Sequence, residues 1–248
     1  AWRPMSVTPC EKERMRAVWT GSAVLTWARG ALRLLDPVSG TLAGGVLSDL
    51  SGFGSMVWAG DRALIWALAD GDSCGLTYWP QTDASTSIHA PDPLLCRSGH
   101  AAVWTGTQMV IWGGHSQNLV EVSTGATYDP VADTWESISA VGAPGPRSKA
   151  RAFWTGKEVL IWSGELTGGD PQEWLSDGAL YDPVLDTWRA VAATGPTSGT
   201  ETAVWADGRL MVWAGNEGGW MYNPETDTWR QMNPEGAPAL WPIAMAWT

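Results

Sequence analysis

Pairs of tryptophans eight residues apart recur along the chain, at Trp19 and Trp27, Trp58 and Trp66, Trp104 and Trp112, Trp154 and Trp162, and Trp205 and Trp213. Successive first members lie 39, 46, 50 and 51 residues apart, and Trp247 follows 42 further on. Self-similarity at such a period restricts a chain to repeat architectures. The clearest copy, residues 101–135, reads AAVWTGTQMVIWGG, a polar insert, then TYDPVADTW. Residues 151–188 and 202–229 repeat it as RAFWTGKEVLIWSG…LYDPVLDTW and TAVWADGRLMVWAG…MYNPETDTW.

Each copy contains two short apolar runs around a Thr-Gly or Asp-Gly turn, which is a hairpin signal. Met109 to Trp112 and Val159 to Trp162 are β-branched and aromatic without a polar break. Such runs predict strands buried on both faces. The Tyr-Asp-Pro-x-x-Asp-Thr-Trp segment predicts a second hairpin, with Pro fixing φ in the turn and the preceding Asp bonding to the turn backbone. One repeat is therefore four strands, marked by first Trp, second Trp, Tyr and last Trp.

Four short strands repeated at about 50 residues resemble the blade of a kelch-type β-propeller. The motifs that carry the resemblance are WTG, then VIWGG, then YDPVADTW, in a Trp-rich bacterial style. Gly113-Gly114 matches the family's glycine doublet. Ser163-Gly164 and Ala214-Gly215 keep one glycine of it, and Ala28-Arg29 and Ala67-Leu68 keep none. The first repeat also replaces Tyr and Trp with Leu35 and Leu42. The resemblance covers essentially the whole chain and implies an all-β kelch propeller. Function does not follow from it, because propellers host binding, scaffolding and catalysis alike.

Five whole repeats are expected, at 16–49, 55–89, 100–140, 150–192 and 202–232, in a single domain over 1–248. Trp2-Arg3 matches Trp188-Arg189, and Ala244-Met245-Ala246-Trp247 matches a first strand. Residues 1–6 and 243–248 thus read as terminal strands of a split sixth blade. The simplest reading is a piece of a longer propeller, and a five-bladed ring closed by its terminal strands is the alternative. The chain opens at Ala1 with no secretory leader, which reads as a mature or trimmed chain, or a fragment.

Of the 19 Trp, all but Trp79, Trp174, Trp220 and Trp241 fall on three registered positions. Large rings fill the gaps between stacked sheets, so the registered ones are read as packing residues. The formal net charge of −11 disfavours nucleic acid and anionic membrane surfaces. No run of about 18 apolar residues predicts a spanning helix.

Strands alternate in direction, so the loops between strands 2 and 3 share a face with the loops joining repeats. Those inserts, 115–124, 165–177 and 216–219, are the long ones, and variable loops on a rigid scaffold tend to carry function. Trp174, Trp220 and Trp241 belong to that face by topology. Glu165, Asp170, Gln172, Glu173, Asp177, Asn216, Glu217 and His115 lie near them. Exposed Trp beside carboxylates and amides suits stacking on a sugar ring and bonding its hydroxyls. The competing reading has these rings capping the loops onto the core.

Asp70-Gly71-Asp72 and residues 169–173 are the local acidic clusters, and neither has the EF-hand spacing, so solvated loops are expected rather than calcium sites. His89, His100 and His115 do not cluster with Tyr or Cys as a copper site would need. No metal and no cofactor are therefore expected. Of the cysteines, Cys74 starts a third strand and Cys96 leaves the same repeat on the same face, so a Cys74–Cys96 disulfide fits the topology. Cys10 pairing with either, or three free thiols, are the other arrangements. Arg16, Arg97, Arg147, Lys149 and Arg151 precede first-strand Trp residues. They are expected to pair with the Asp of a neighbouring Asp-Thr-Trp turn, at Asp133, Asp186 or Asp227.

The function expected is a monomeric, non-catalytic binding module of a secreted or cell-surface protein, with carbohydrate or a protein as ligand on the long-loop face. The rivals are a carbohydrate-active enzyme using loop carboxylates, which needs two acids about 5–10 Å apart, and a purely structural scaffold.

Overall fold

The computed structural model describes residues 15–28, 30–47, 50, 54–68, 73–91, 96–116, 118, 120–167, 173–197 and 202–233. The expected terminal strands, Cys10, Asp170, Gln172 and Trp241 lie outside the described residues. The chain falls into two compact units, 1–98 and 99–248. Among the described residues the structure is all strand and turn, save one short 3-10 turn at Gly215–Glu217.

The first unit holds two four-stranded antiparallel sheets. Blade 1 is β1 (Arg16–Trp19), β2 (Val24–Ala28), β3 (Ala31–Leu35) and β4 (Leu42–Leu47). Blade 2 is β5 (Ser55–Trp58), β6 (Ala63–Trp66), β7 (Ser73–Trp79) and β8 (Ala84–His89). They pack through Leu25, Trp27, Leu32, Met56, Ile65 and Tyr78. Cys74 and Cys96 form a disulfide with Cα atoms 5.5 Å apart, tying β7 to the segment that leaves blade 2.

The second unit holds three sheets of the same order. Blade 3 is β9 (Ala101–Trp104), β10 (Met109–Trp112), β11 (Gly125–Asp129) and β12 (Thr134–Ser137). Blade 4 is β13 (Arg151–Trp154), β14 (Val159–Trp162), β17 (Gly178–Asp182) and β18 (Thr187–Ala190). Its 2–3 insert folds into a small hairpin of its own, β15 (Glu165–Leu166) and β16 (Glu173–Trp174). Blade 5 is β19 (Thr202–Ala206), β20 (Arg209–Trp213), β21 (Gly219–Asn223) and β22 (Thr228–Gln231). As the unbroken apolar runs require, β10 and β14 are buried on both faces. In β20 only alternate residues are buried, and Met211 and Trp213 stand half-exposed where Leu160 and Trp162 of blade 4 are covered.

The Asp-Thr-Trp motif joins consecutive blades. The Asp186 carboxylate accepts the Ser139 N–H at 2.9 Å, and the Trp188 indole N–H donates to the Ser139 carbonyl at 2.8 Å. Asp227 and Trp229 grip Ala192 in the same way, at 3.0 Å each. The rings then complete the interface, Trp188 against Trp112 at 5.9 Å between centroids and Trp229 against Trp162 at 4.7 Å. The partner of this aspartate is thus backbone, where the sequence pointed to an arginine. Backbone N–H groups left over at a blade's exit are obligatory donors, and the Asp meets them at short range.

Three of the four tyrosines serve this motif, and Tyr78 makes the same bond to Asp83, which stands at the equivalent turn position before Ala84-Ser85. Tyr78, Tyr128, Tyr181 and Tyr222 donate their hydroxyls to Asp83, Asp133, Asp186 and Asp227, at 2.9, 2.7, 2.9 and 2.6 Å. Each of those aspartates has left-handed φ, between 50° and 53°. Burial and the adjacent Asp83 carboxylate push the Tyr78 phenol up to about 12. The same causes raise Tyr181 and Tyr222. The unfolded phenol ionises near 10. The stabilisation is therefore complete below about pH 10 and is lost as pH rises through the folded value. Tyr78→Phe is expected to cost about 1–2 kcal/mol at pH 7. It should also flatten the fall in stability between about pH 10 and 12, read by urea titration across that range.

Candidate functional site

The long-loop side of blades 3 and 4 gathers most of the described candidates. Its backbone frame is the segment entering blade 4. The Arg147 carbonyl accepts from Gly114 N–H at 2.8 Å, Lys149 N–H donates to the Gly99 carbonyl at 2.7 Å, and Ser148 exchanges backbone bonds with Glu165 at 2.8 and 3.0 Å. Residues 147–149 are thereby sewn between blade 3 and the β15–β16 hairpin.

Arg147 is fully buried apart from 2% of its surface. Its guanidinium grips the Asp177 carboxylate in a fork, at 2.6 and 3.0 Å, and donates to the carbonyls of Gly145, Ser163 and Asp177. This corrects the expectation that Arg147 pairs with an Asp-Thr-Trp aspartate. Those carboxylates are occupied by tyrosine and backbone, and Asp177 lies on the insert of Arg147's own blade. Asp177, expected from sequence as a ligand contact, anchors the insert through this fork while its side chain stays 64% exposed.

Lys149 forms an ion pair with Glu165, and its ammonium lies over the Trp174 ring, 5.9 Å from the centroid. Glu165 is completely buried, which removes it from direct contact with a ligand. It is buried on β15, where the lysine charge helps to compensate it. Lys149 and Trp174 remain open to solvent, at 40% and 38%. Glu173 precedes Trp174 on β16.

His115 lies beside this group. Its Nε2 is 3.3 Å from the Thr167 hydroxyl and 3.4 Å from Glu121, and Glu121 accepts both the N–H (2.7 Å) and the hydroxyl of Thr167. Blade 3's insert is thus linked to blade 4's. Burial raises the Glu121 carboxyl, but the Thr167 bonds and the His115 imidazole outweigh it and leave it below the usual carboxylate range.

The remaining candidates stand apart in blade 5. Trp220 is half-buried and packs on the core between blades 4 and 5, with its indole N–H buried and unpartnered. It sits in the sheet that carries Tyr222 into the same cluster, so part of its ring is spent on the core. Asn216 is exposed. Glu217 accepts the N–H and hydroxyl of Thr197 at 3.0–3.1 Å, anchoring the loop that enters blade 5. Thr167 and Glu121 were missed in the sequence because neither stands beside an off-register Trp. Among the described residues no three His, Cys, Asp or Glu side chains gather as a metal site would require. No helix there is long and apolar enough to cross a membrane.

Four-stranded antiparallel blades in sequence, packed through ring-shaped side chains and carrying their long loops between strands 2 and 3, define a kelch-type β-propeller. The chain belongs to the kelch-repeat family: residues 56–243 match the model of the KLHDC2/KLHL20/DRC7 Kelch-repeats domain. Among solved structures it is similar to one titled "Structure of YjhT", with a TM-score of 0.73 and 9% sequence identity over 94% of this chain and 88% of that one. At that identity the likeness concerns the fold alone. Among curated proteins none matches. The kelch propeller fold suggests a non-catalytic binding module.

Proposed function

We propose that the protein is a binding module of a secreted or cell-surface protein, and that the long-loop side of blades 3 and 4 takes a carbohydrate. The observation that carries this is Trp174. It stands outside the repeat register, on a hairpin of its own, with 38% of its surface open beside the Lys149 ammonium. An indole has no need of such a mount to fill a core, whereas an open ring with a fixed donor at its side suits a saccharide's apolar face and hydroxyl rim. The disulfide between two buried cysteines supports the extracytoplasmic part, since such bonds persist in oxidising compartments.

A glycan array probed with the wild type and Trp174→Ala tests the reading. Trp174 is exposed, so the variant is expected to fold and to keep its stability within about 0.5 kcal/mol. Specific glycan binding by the wild type that drops about tenfold or more in the variant is the expected result. No binding by either would sink the carbohydrate reading and leave a protein ligand as the better one.

A further inference from the structure

We infer that the open sheet face of blade 5 docks an acidic segment of a partner protein, with a carboxylate seated between Arg209 and Arg230. The inference uses none of the residues around Trp174 and stands whether or not those take a carbohydrate.

The same face has a known use one blade earlier. On blade 4, Glu158 leads into β14 and Arg189 lies on β18. The Arg189 guanidinium donates to the Glu158 carboxylate in a fork, both bonds at 2.8 Å, and also to the Pro224 carbonyl at 3.0 Å. Pro224 belongs to the turn between β21 and β22, so the Arg189–Glu158 pair is a seat for the second hairpin of blade 5. That seat is neutral, and its guest offers a backbone carbonyl.

Blade 5 repeats the seat with a different charge. Arg209 stands four residues before Trp213, as Glu158 stands four before Trp162, and Arg230 follows Trp229 as Arg189 follows Trp188. Met221 pairs with both Met211 and Arg230 in the ladder, where Leu180 pairs with Leu160 and Arg189. Directly paired residues share a face. The Arg209 Nη1 lies 3.5 Å from the Met221 Sδ, which brings the second cation to that face. Both arginines are exposed, and with Met221 and Met232 they line a depression of about 210 Å³. No carboxylate among the described residues pairs with either of them. Two guanidiniums thus flank one thioether where blade 4 sets a guanidinium against an acid.

A carboxylate placed between the two forks relieves their repulsion and gains charge-assisted bonds from both. Met211, Trp213 and Met221 stand half-exposed on the same face and call for apolar cover. A free inorganic anion satisfies the arginines and leaves that surface wet. A polypeptide with Asp or Glu beside apolar side chains satisfies both, and the matching seat on blade 4 already receives polypeptide. A second copy of this chain brings its own −11 and the long-range repulsion that goes with it, whereas a partner needs only the local acid.

The probe is a random peptide library displayed on phage and panned on the whole chain. Counter-selection uses Arg209→Glu, which copies blade 4's neutral pair at an exposed position, so the variant is expected to keep its thermal transition. Peptides that the wild type selects and the variant rejects are expected to carry Asp or Glu beside aliphatic or aromatic residues. Made synthetically, they should bind Arg209→Glu about tenfold more weakly or worse. Replacing their acid by its amide should cost as much, and so reads the same contact without altering the protein. Affinity should fall at least about fivefold between roughly 50 and 500 mM NaCl. Selected peptides without an acid, or peptides that bind the variant as tightly as the wild type, would overturn the inference. A panning that yields no specific peptide would overturn it too, and if inorganic phosphate then stabilised the wild type but not the variant, the pair would be a small-oxyanion site. Self-association of the wild type that Arg209→Glu abolishes would give the face to a second copy instead of a partner.

Discussion

Gly178→Ala is expected to destabilise the protein by about 3 kcal/mol or more, because the added methyl has nowhere to go. Gly178 opens β17 directly opposite Trp162 of β14. A Cβ there would collide with the Ile161 carbonyl and lie 2.9 Å from the Trp162 ring. Both obstacles sit in a strand buried on both faces, so neither can yield without moving blade 4 against its neighbours. The arrangement recurs in blades 2 and 3, where Gly75 faces Trp66 and Gly125 faces Trp112, a Cβ colliding with the first ring and lying 2.8 Å from the second. Gly219 faces Trp213 in blade 5, more loosely, and blade 1 sets Leu32 opposite Trp27. In blades 2 to 4 the second-strand indole lies across the third-strand glycine, which makes room for so large a ring. Gly145→Ala is the control, since a Cβ there would meet nothing within 4 Å. Chemical denaturation of the two variants should separate them by roughly the whole 3 kcal/mol. A Gly178→Ala protein as stable as Gly145→Ala would mean that the second-strand ring is free to shift.

The parts of this fold that were legible in the sequence are those whose cause is local. The eight-residue tryptophan spacing is a hairpin measured along the chain, and β9–β10 and β13–β14 pair Trp104 with Met109 and Trp154 with Val159 as it requires. The Asp-Pro turns are equally local: Asp129 accepts from Val131 and Ala132, and Asp182 from Val184 and Leu185. What the sequence concealed is contact between blades. The Asp186–Ser139 bond reaches a backbone N–H, and a backbone donor leaves no mark on residue identity. The site was hidden for a related reason. Glu165 and Asp177 look alike as loop acids, yet the first is wholly buried on β15 and the second is 64% exposed beside Arg147. Lys149 read as one more structural cation because nothing in the spelling separates it from Arg147. Only burial and the position of Trp174 divide the two, one gripping the frame and the other left at the surface.

That division makes Lys149 a residue that both ties down the hairpin and borders the proposed ligand surface, and Lys149→Met should expose the first role. Removing one member of a buried ion pair costs about 3–5 kcal/mol, since the other charge remains without compensation. Glu165 is the charge left behind here, with none of its surface exposed. The expected loss is at the lower end, about 3 kcal/mol, because the Lys149 side chain is itself partly exposed and the methionine side chain keeps most of the lysine's aliphatic bulk. Adding Glu165→Met should recover most of it, because an apolar pair of similar volume is nearly neutral where an ion pair stood. The double-mutant cycle, read by urea unfolding, then gives a coupling of about 2 kcal/mol or more between the two positions. If Lys149→Met alone proved harmless, the other contacts of Glu165 would be enough to compensate its buried charge. The cycle therefore measures how firmly the protein holds Trp174 in the open, since the same hairpin carries both the buried acid and the exposed ring.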